Sequence, residues 1–268
     1  MMPTTATLNL FFALSALTMI LVAGYFPFKK RLAQAEQEHT DFPMGETLGT
    51  GVFLGAALLH MLPDAQTLFM KQGYHYPFAL LVTGIVFLLF LWFEHLGKEL
   101  YHHDAHEHLA HHTHHDAHTT HPAFAIMAWM MLSIHSFVLG TALGLSQDYS
   151  MQIMLFLAII AHKWAESFAI AVQLNKSTLS PKTAITLFLS FAFMTPLGIG
   201  IGWYVGRDVS THSFIDPLLM AISAGTFLYL GTLHGLERCV MVQRCCNLRD
   251  FSFVIVGFLL MAAVAVYA

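Results

Sequence analysis

The chain has 268 residues, 56% of them apolar and only 10% charged. A soluble domain carries about 25% charged residues, so most of this surface is expected to face lipid. The formal charge of −4 excludes the basic balance of a nucleic-acid binder, and three clustered cysteines, Cys239, Cys245 and Cys246, exclude a spaced disulfide framework. The N-terminus lacks the basic region of a cleaved signal, so the first apolar stretch is expected to be a retained helix.

Spanning a bilayer takes about 20 apolar residues. Eight stretches qualify, at 5–28, 43–71, 76–97, 122–147, 149–174, 182–206, 213–238 and 250–268. Backbone groups in lipid must be satisfied internally, so each is read as a helix. The expected fold is an all-α polytopic membrane protein, one transmembrane domain over 1–268. With the N-terminus placed outside, the inner loops hold nine basic residues: Lys29, Lys30, Arg31, Lys98, Lys176, Lys182, Arg238, Arg244 and Arg249. The outer loops hold only Lys71 and Arg207. The bias predicts both termini outside the cytoplasm.

In chain order, helix two (43–71) carries Glu46 near its inner end, Gly51 and Gly55 four residues apart, and His60-Met61-Leu62-Pro63-Asp64 in its outer half. His60 and Asp64 share a face and could line an entrance. Pro63 removes a backbone donor and predicts a kink, as does Pro196 in helix six (182–206). Helix three (76–97) ends with Glu94 and His95, which with Glu46 could receive an exiting cation beside the histidine tract. Between helix three and helix four lies that tract, over 101–121, which holds ten of the eighteen histidines: His102, His103, His106, His108, His111, His112, His114, His115, His118 and His121. It has no apolar periodicity and is expected to be a disordered cytoplasmic loop that binds metal weakly and multivalently. Close helix packing is expected at Gly140 and Gly144 of helix four (122–147) and at Gly198, Gly200 and Gly202 of helix six.

The strongest signal is a pair of polar patches inside helices four and five (149–174): His135-Ser136 and His162-Lys163-Trp164-Ala165-Glu166. Ionisable groups at that depth cost on the order of 3 kcal/mol each, so they mark a site or pathway. His162 and Glu166 are four apart and share a helix face. His135 projects from the antiparallel neighbour. Two imidazoles and a carboxylate make a three-ligand site for a borderline metal such as zinc, with one position open. Lys163 is expected to pair with Glu166 or to line a hydrated cavity. Ser136, beside His135, and His234, in the inner half of helix seven (213–238), are further candidate ligands.

With these residues in view, the chain resembles the ZIP (Zrt/Irt-like) family of divalent metal transporters. The resemblance rests on Gly51 to Ala65 of helix two, on His135-Ser136 with Gly140 and Gly144, on His162-Lys163 with Glu166, and on Gly225-Thr226-Phe227-Leu228-Tyr229 of helix seven. Eight helices and a histidine-rich loop after the third fit the same family. It implies import of zinc, or of iron, manganese or cadmium, by alternating access, with helices four and five enclosed by the others and often a homodimer. No catalytic cofactor or enzymatic activity is implied, and the membrane is expected to be the plasma or bacterial inner membrane. The chain departs from the family at Leu139, where an acidic residue is usual, and at His234, where many members have glutamate. Lys163 falls where some members place a second-metal ligand, which argues for one central metal.

Two alternatives remain. Leu139 leaves room for a non-transporting metal sensor or partner protein of the same fold. His108-Leu109-Ala110-His111-His112 matches the histidine box of membrane di-iron desaturases, but no second box accompanies it.

Overall fold

The computed structural model describes residues 5–33, 42–106, 122–146, 148–206, 214–233 and 248–266. Eight helices of spanning length account for nearly all of them: Thr5–Ala33, Pro43–Lys71, Phe78–His106, Pro122–Leu145, Tyr149–Lys176, Pro181–Val205, Ile215–Leu233 and Leu248–Ala265, helices one to eight. The helix starts follow local chemistry. The Asp148 side chain accepts the Ser150 N–H at 3.1 Å ahead of helix five, and Ser180 accepts the Thr183 N–H at 3.2 Å ahead of helix six, whose first residue is Pro181. Helix three runs past its expected end at 97 to His106, since no proline or glycine after Gly97 stops it. His102 and His103 therefore stand on its last turns with His106. Their side chains, and residues 107–121, lie outside the described residues, as does His234.

The helices sort into two groups of four. Helices one, four, five and six pack on one another, and so do two, three, seven and eight. Glycines make the closest contacts in each. A Cβ on Gly140 would stand 2.5 Å from the Thr195 carbonyl oxygen, and one on Gly198 would stand 2.3 Å from that of Phe137. Gly144 and Gly202 repeat the contact one turn on, so helices four and six run parallel with backbones touching. Gly51 and Gly55 meet helix eight in the same way at Val254 and Met261, and Gly257 returns the contact at Leu48. Gly200 departs from the expectation: it lies on the exposed face and meets nothing within 4 Å.

Buried polar pairs tie each group internally. Gln152 donates to Asn9 at 3.0 Å between helices five and one, Trp129 to the Leu187 carbonyl at 2.8 Å between four and six, and Thr83 to the Ala221 carbonyl at 3.1 Å between three and seven. Helices four and seven are the most buried, while one, three and eight turn Leu10, Phe11, Leu88, Trp92 and Leu259 outward, as lipid-facing helices must. Helix five, expected to lie inside together with helix four, is less enclosed than helices two, four and seven.

Pro63 acts locally. The preceding turn, Ala57–Met61, widens to π geometry, and the Leu62 N–H reaches back five residues to the Ala57 carbonyl. A proline ring crowds the carbonyl four residues before it, and a wider turn relieves that crowding.

Candidate metal centre

Where the two groups meet, helices four and five bring His135, His162 and Glu166 together. One ligand atom from each lies within 4.8 Å of the others, and all three side chains are buried. The four ring nitrogens of His135 and His162 have no hydrogen-bond partner. The Ser223 and Ala158 backbones come near the two rings without hydrogen-bonding geometry. Buried imidazoles are normally paired, so this orphaned set is what a cation would satisfy.

Glu166 is held from two sides. Lys163 donates to one of its carboxylate oxygens at 2.8 Å, and Ser136 donates to the other. Lys163 also donates to the Ser136 oxygen at 2.7 Å, closing a three-membered ring of contacts, and its ammonium lies 5.2 Å from the Phe191 ring centroid. Lysine therefore pairs with Glu166, the first of the two expectations. Ser136, expected as a ligand, is engaged in holding the carboxylate. A carboxylate offers about four lone-pair sites, so Glu166 keeps acceptor capacity for a metal while both partners hold it. Leu139, buried one turn along helix four from His135, supplies no charge. The ammonium and carboxylate cancel, and the neutral imidazoles remain as donors.

The second helix group forms the wall. Phe227 of helix seven stacks on His135 with ring centroids 3.9 Å apart and meets His162 edge-on at 5.1 Å. Phe53 of helix two backs it at 4.9 Å. Ser223, with a buried hydroxyl lacking a partner, belongs to the same wall. Sequence pattern offered no signal for Phe227 beyond its place in the Gly225–Tyr229 segment. His60 stands within electrostatic reach of His162, and its Nδ1 lies 2.8 Å from the Asp64 carboxylate. Such a contact fixes a histidine ring and leaves its other nitrogen available.

The remaining candidates lie elsewhere. Glu46 is at the far end of helix two, where the Lys176 ammonium reaches its carboxylate oxygens at 2.7 and 3.0 Å. Glu94 accepts a hydrogen bond from the buried Tyr229 hydroxyl, and exposed His95 bonds the Leu91 carbonyl at 3.0 Å on its own helix.

Comparison with known proteins identifies the family of the chain. The ZIP zinc transporter family model matches residues 4–123 and 97–265. Zinc transporter ZIP2 of Mus musculus is 28% identical, covering 95% of this chain and 96% of its own length. The Homo sapiens ZIP2 is 28% identical over 82% of this chain and 84% of its own, and zinc transporter ZIP1 of Danio rerio is 28% identical over 80% and 81%. With eight spanning helices and a family match over nearly its whole length, the chain is an integral multi-pass membrane protein and belongs to the ZIP zinc transporter family.

Proposed function

We propose that this member of a divalent-metal transporter family carries zinc toward the cytoplasm, by alternating access, through a mononuclear site formed by His135, His162 and Glu166. The observation that carries the reading is the set of four orphaned imidazole nitrogens beside a buried carboxylate at the junction of two helix groups. Nitrogen donors with one carboxylate favour zinc over manganese. The bias of the basic residues supports a cytoplasmic Glu46 end of the bundle and an outer Asp64 end.

On this reading a hydrated cation arrives near Asp64 and His60. It sheds water to the two imidazoles and Glu166, with Ser136 and Lys163 holding the carboxylate in position. Lys163 occupies the space and charge of a second cation, which limits the site to one metal. Phe227 and Phe53 exclude water from one side, so release requires the two helix groups to shift relative to each other. Glu46, His234 and the histidine tract receive the ion on the inner side.

The test is radioactive zinc uptake into proteoliposomes, comparing the wild-type chain with a His135→Ala, His162→Ala double variant. Flux that disappears in the variant supports the site, and equal flux in both refutes it. Leu139→Glu adds the carboxylate the family usually has. A transporter should then change its rate or metal preference, whereas a sensor without flux would gain it from none.

A further inference from the structure

The Glu46–Lys176 ion pair has a position that its chemistry alone does not explain. Helix five carries Lys176 ten residues beyond Glu166, which is about 15 Å along the axis. Glu46 sits in the first turn of helix two. The pair therefore joins one helix group to the other, well away from the metal centre. Every other hydrogen bond or ion pair described above stays inside one group.

Its surroundings hold the same two helix ends together. A Cβ on Gly45 would stand 2.4 Å from the Phe168 ring, so helix two meets helix five there without a side chain between them. Phe42 packs edge-on against Phe168 at 5.6 Å, and Phe26 against Phe42 at 5.7 Å. Phe168, Val172 and Lys176 follow each other at four-residue spacing on one face of helix five. The first and last contact helix two, so Val172 lies along the same seam. Both members of the ion pair are largely buried, and a sheltered pair is screened less than an exposed one. Asp250, buried at the start of helix eight, stands at the same level, one turn before Val254 as Thr47 stands one turn before Gly51.

We propose that Glu46 and Lys176 form a releasable latch that closes the cytoplasmic side of the seam, and that an outgoing divalent cation opens it by taking the Glu46 carboxylate from Lys176. The inference rests on the transport reading above and deepens it. Glu46 has two successive partners, the ammonium when the seam is shut and the metal when it is open. Lys176 is a positioning residue that never ligates the ion.

The test measures seam opening directly. In a background with Cys239, Cys245 and Cys246 replaced by serine, Val172→Cys is exposed to a membrane-impermeant maleimide in inside-out vesicles. Glu46→Gln and Lys176→Gln should each speed labelling by about fivefold, the shift expected from losing an ion pair at the upper end of the exposed range. The reversed pair, Glu46→Lys with Lys176→Glu, should return the rate to that of the intact latch. Adding zinc should accelerate labelling when Glu46 is present and leave it unchanged in Glu46→Gln.

Unchanged labelling in both single variants overturns the latch. So does a reversed pair that labels as fast as the single variants, which would indicate disturbed folding rather than lost pairing. Zinc acceleration that survives in Glu46→Gln overturns the exchange of partners. The transport reading fails separately, if uptake is indifferent to His135 and His162.

Discussion

The two helix groups differ in what they contribute to the candidate metal centre. Helices one, four, five and six hold all three candidate ligand side chains and the Lys163–Ser136–Glu166 ring of contacts. Helices two, three, seven and eight hold no ligand of that set; they supply Phe227, Phe53 and Ser223 as a wall and His60 with Asp64 beside it. The candidate ligands are thus concentrated in one group and the enclosing side chains in the other. Each group is locked internally by glycine-mediated backbone contact. Sliding one past the other would leave the ligand set intact and change only what covers it.

The largest effect expected from this division is on the ligands. Loss of an outer partner of a metal site costs about 10–100-fold in affinity or activity, so His162→Ala, which removes a ligand outright, should reduce zinc uptake by at least about 100-fold. Phe227→Leu, on the wall, should retain measurable uptake. Equal losses in both would erase the distinction between ligand group and wall group.

Acid should be next. An imidazole binds metal only when neutral. Uptake should be complete while the ligand imidazoles are neutral and be lost on acidification as they take up protons, by roughly tenfold per unit for each histidine involved. Uptake that rises on acidification at constant free zinc would contradict imidazole ligation.

Lys163→Ala removes one member of a buried ion pair and leaves Glu166 uncompensated, which typically costs about 3–5 kcal/mol. The variant should melt earlier in detergent than wild type without metal, and zinc should raise its melting temperature more than it raises that of wild type. A smaller zinc response would show that Lys163 assists binding rather than standing in for a cation.

The smallest predictions compare glycines. Gly198→Ala forces a Cβ against the Phe137 carbonyl, and overpacking of this kind costs about 1–3 kcal/mol. Gly51→Ala should cost about as much in the other group, where the obstacle is the Val254 carbonyl. Gly200→Ala, two residues from Gly198 and facing open space, should stay within about 0.5 kcal/mol. Thermal unfolding of the three variants separates the contacts.

Much of this was legible in the sequence. Apolar runs of spanning length located all eight helices, because lipid leaves the backbone no other regular choice. Four-residue spacing put His162 and Glu166 on one face, and the short turn after helix four made His135 their neighbour. The pairing of Lys163 followed from the cost of burying a lone charge. What composition and period could not give was the partner across the seam. Nothing in a phenylalanine marks it as the one that stacks on an imidazole, and Glu46 and Lys176 lie 130 residues apart, a pairing set only by tertiary packing. Glycine spacing named the close contacts at Gly51, Gly55, Gly140, Gly144, Gly198 and Gly202 but also named Gly200, which two residues from Gly198 faces away from the neighbour, and it gave no signal for Gly45 or Gly257.

The π turn before Pro63 has a consequence for how helix two could be altered. A turn that closes over five residues instead of four holds one residue more than the regular helix requires. Deleting a single residue within Ala57–Met61 would restore regular winding and leave Gly51 and Gly55 on helix eight and Asp64, Ala65 and Phe69 on their present faces, whereas rewinding the same five residues as regular helix would turn everything beyond them by up to about 100°. The extra residue works as a phase shifter, letting one helix serve two unrelated neighbours along its length.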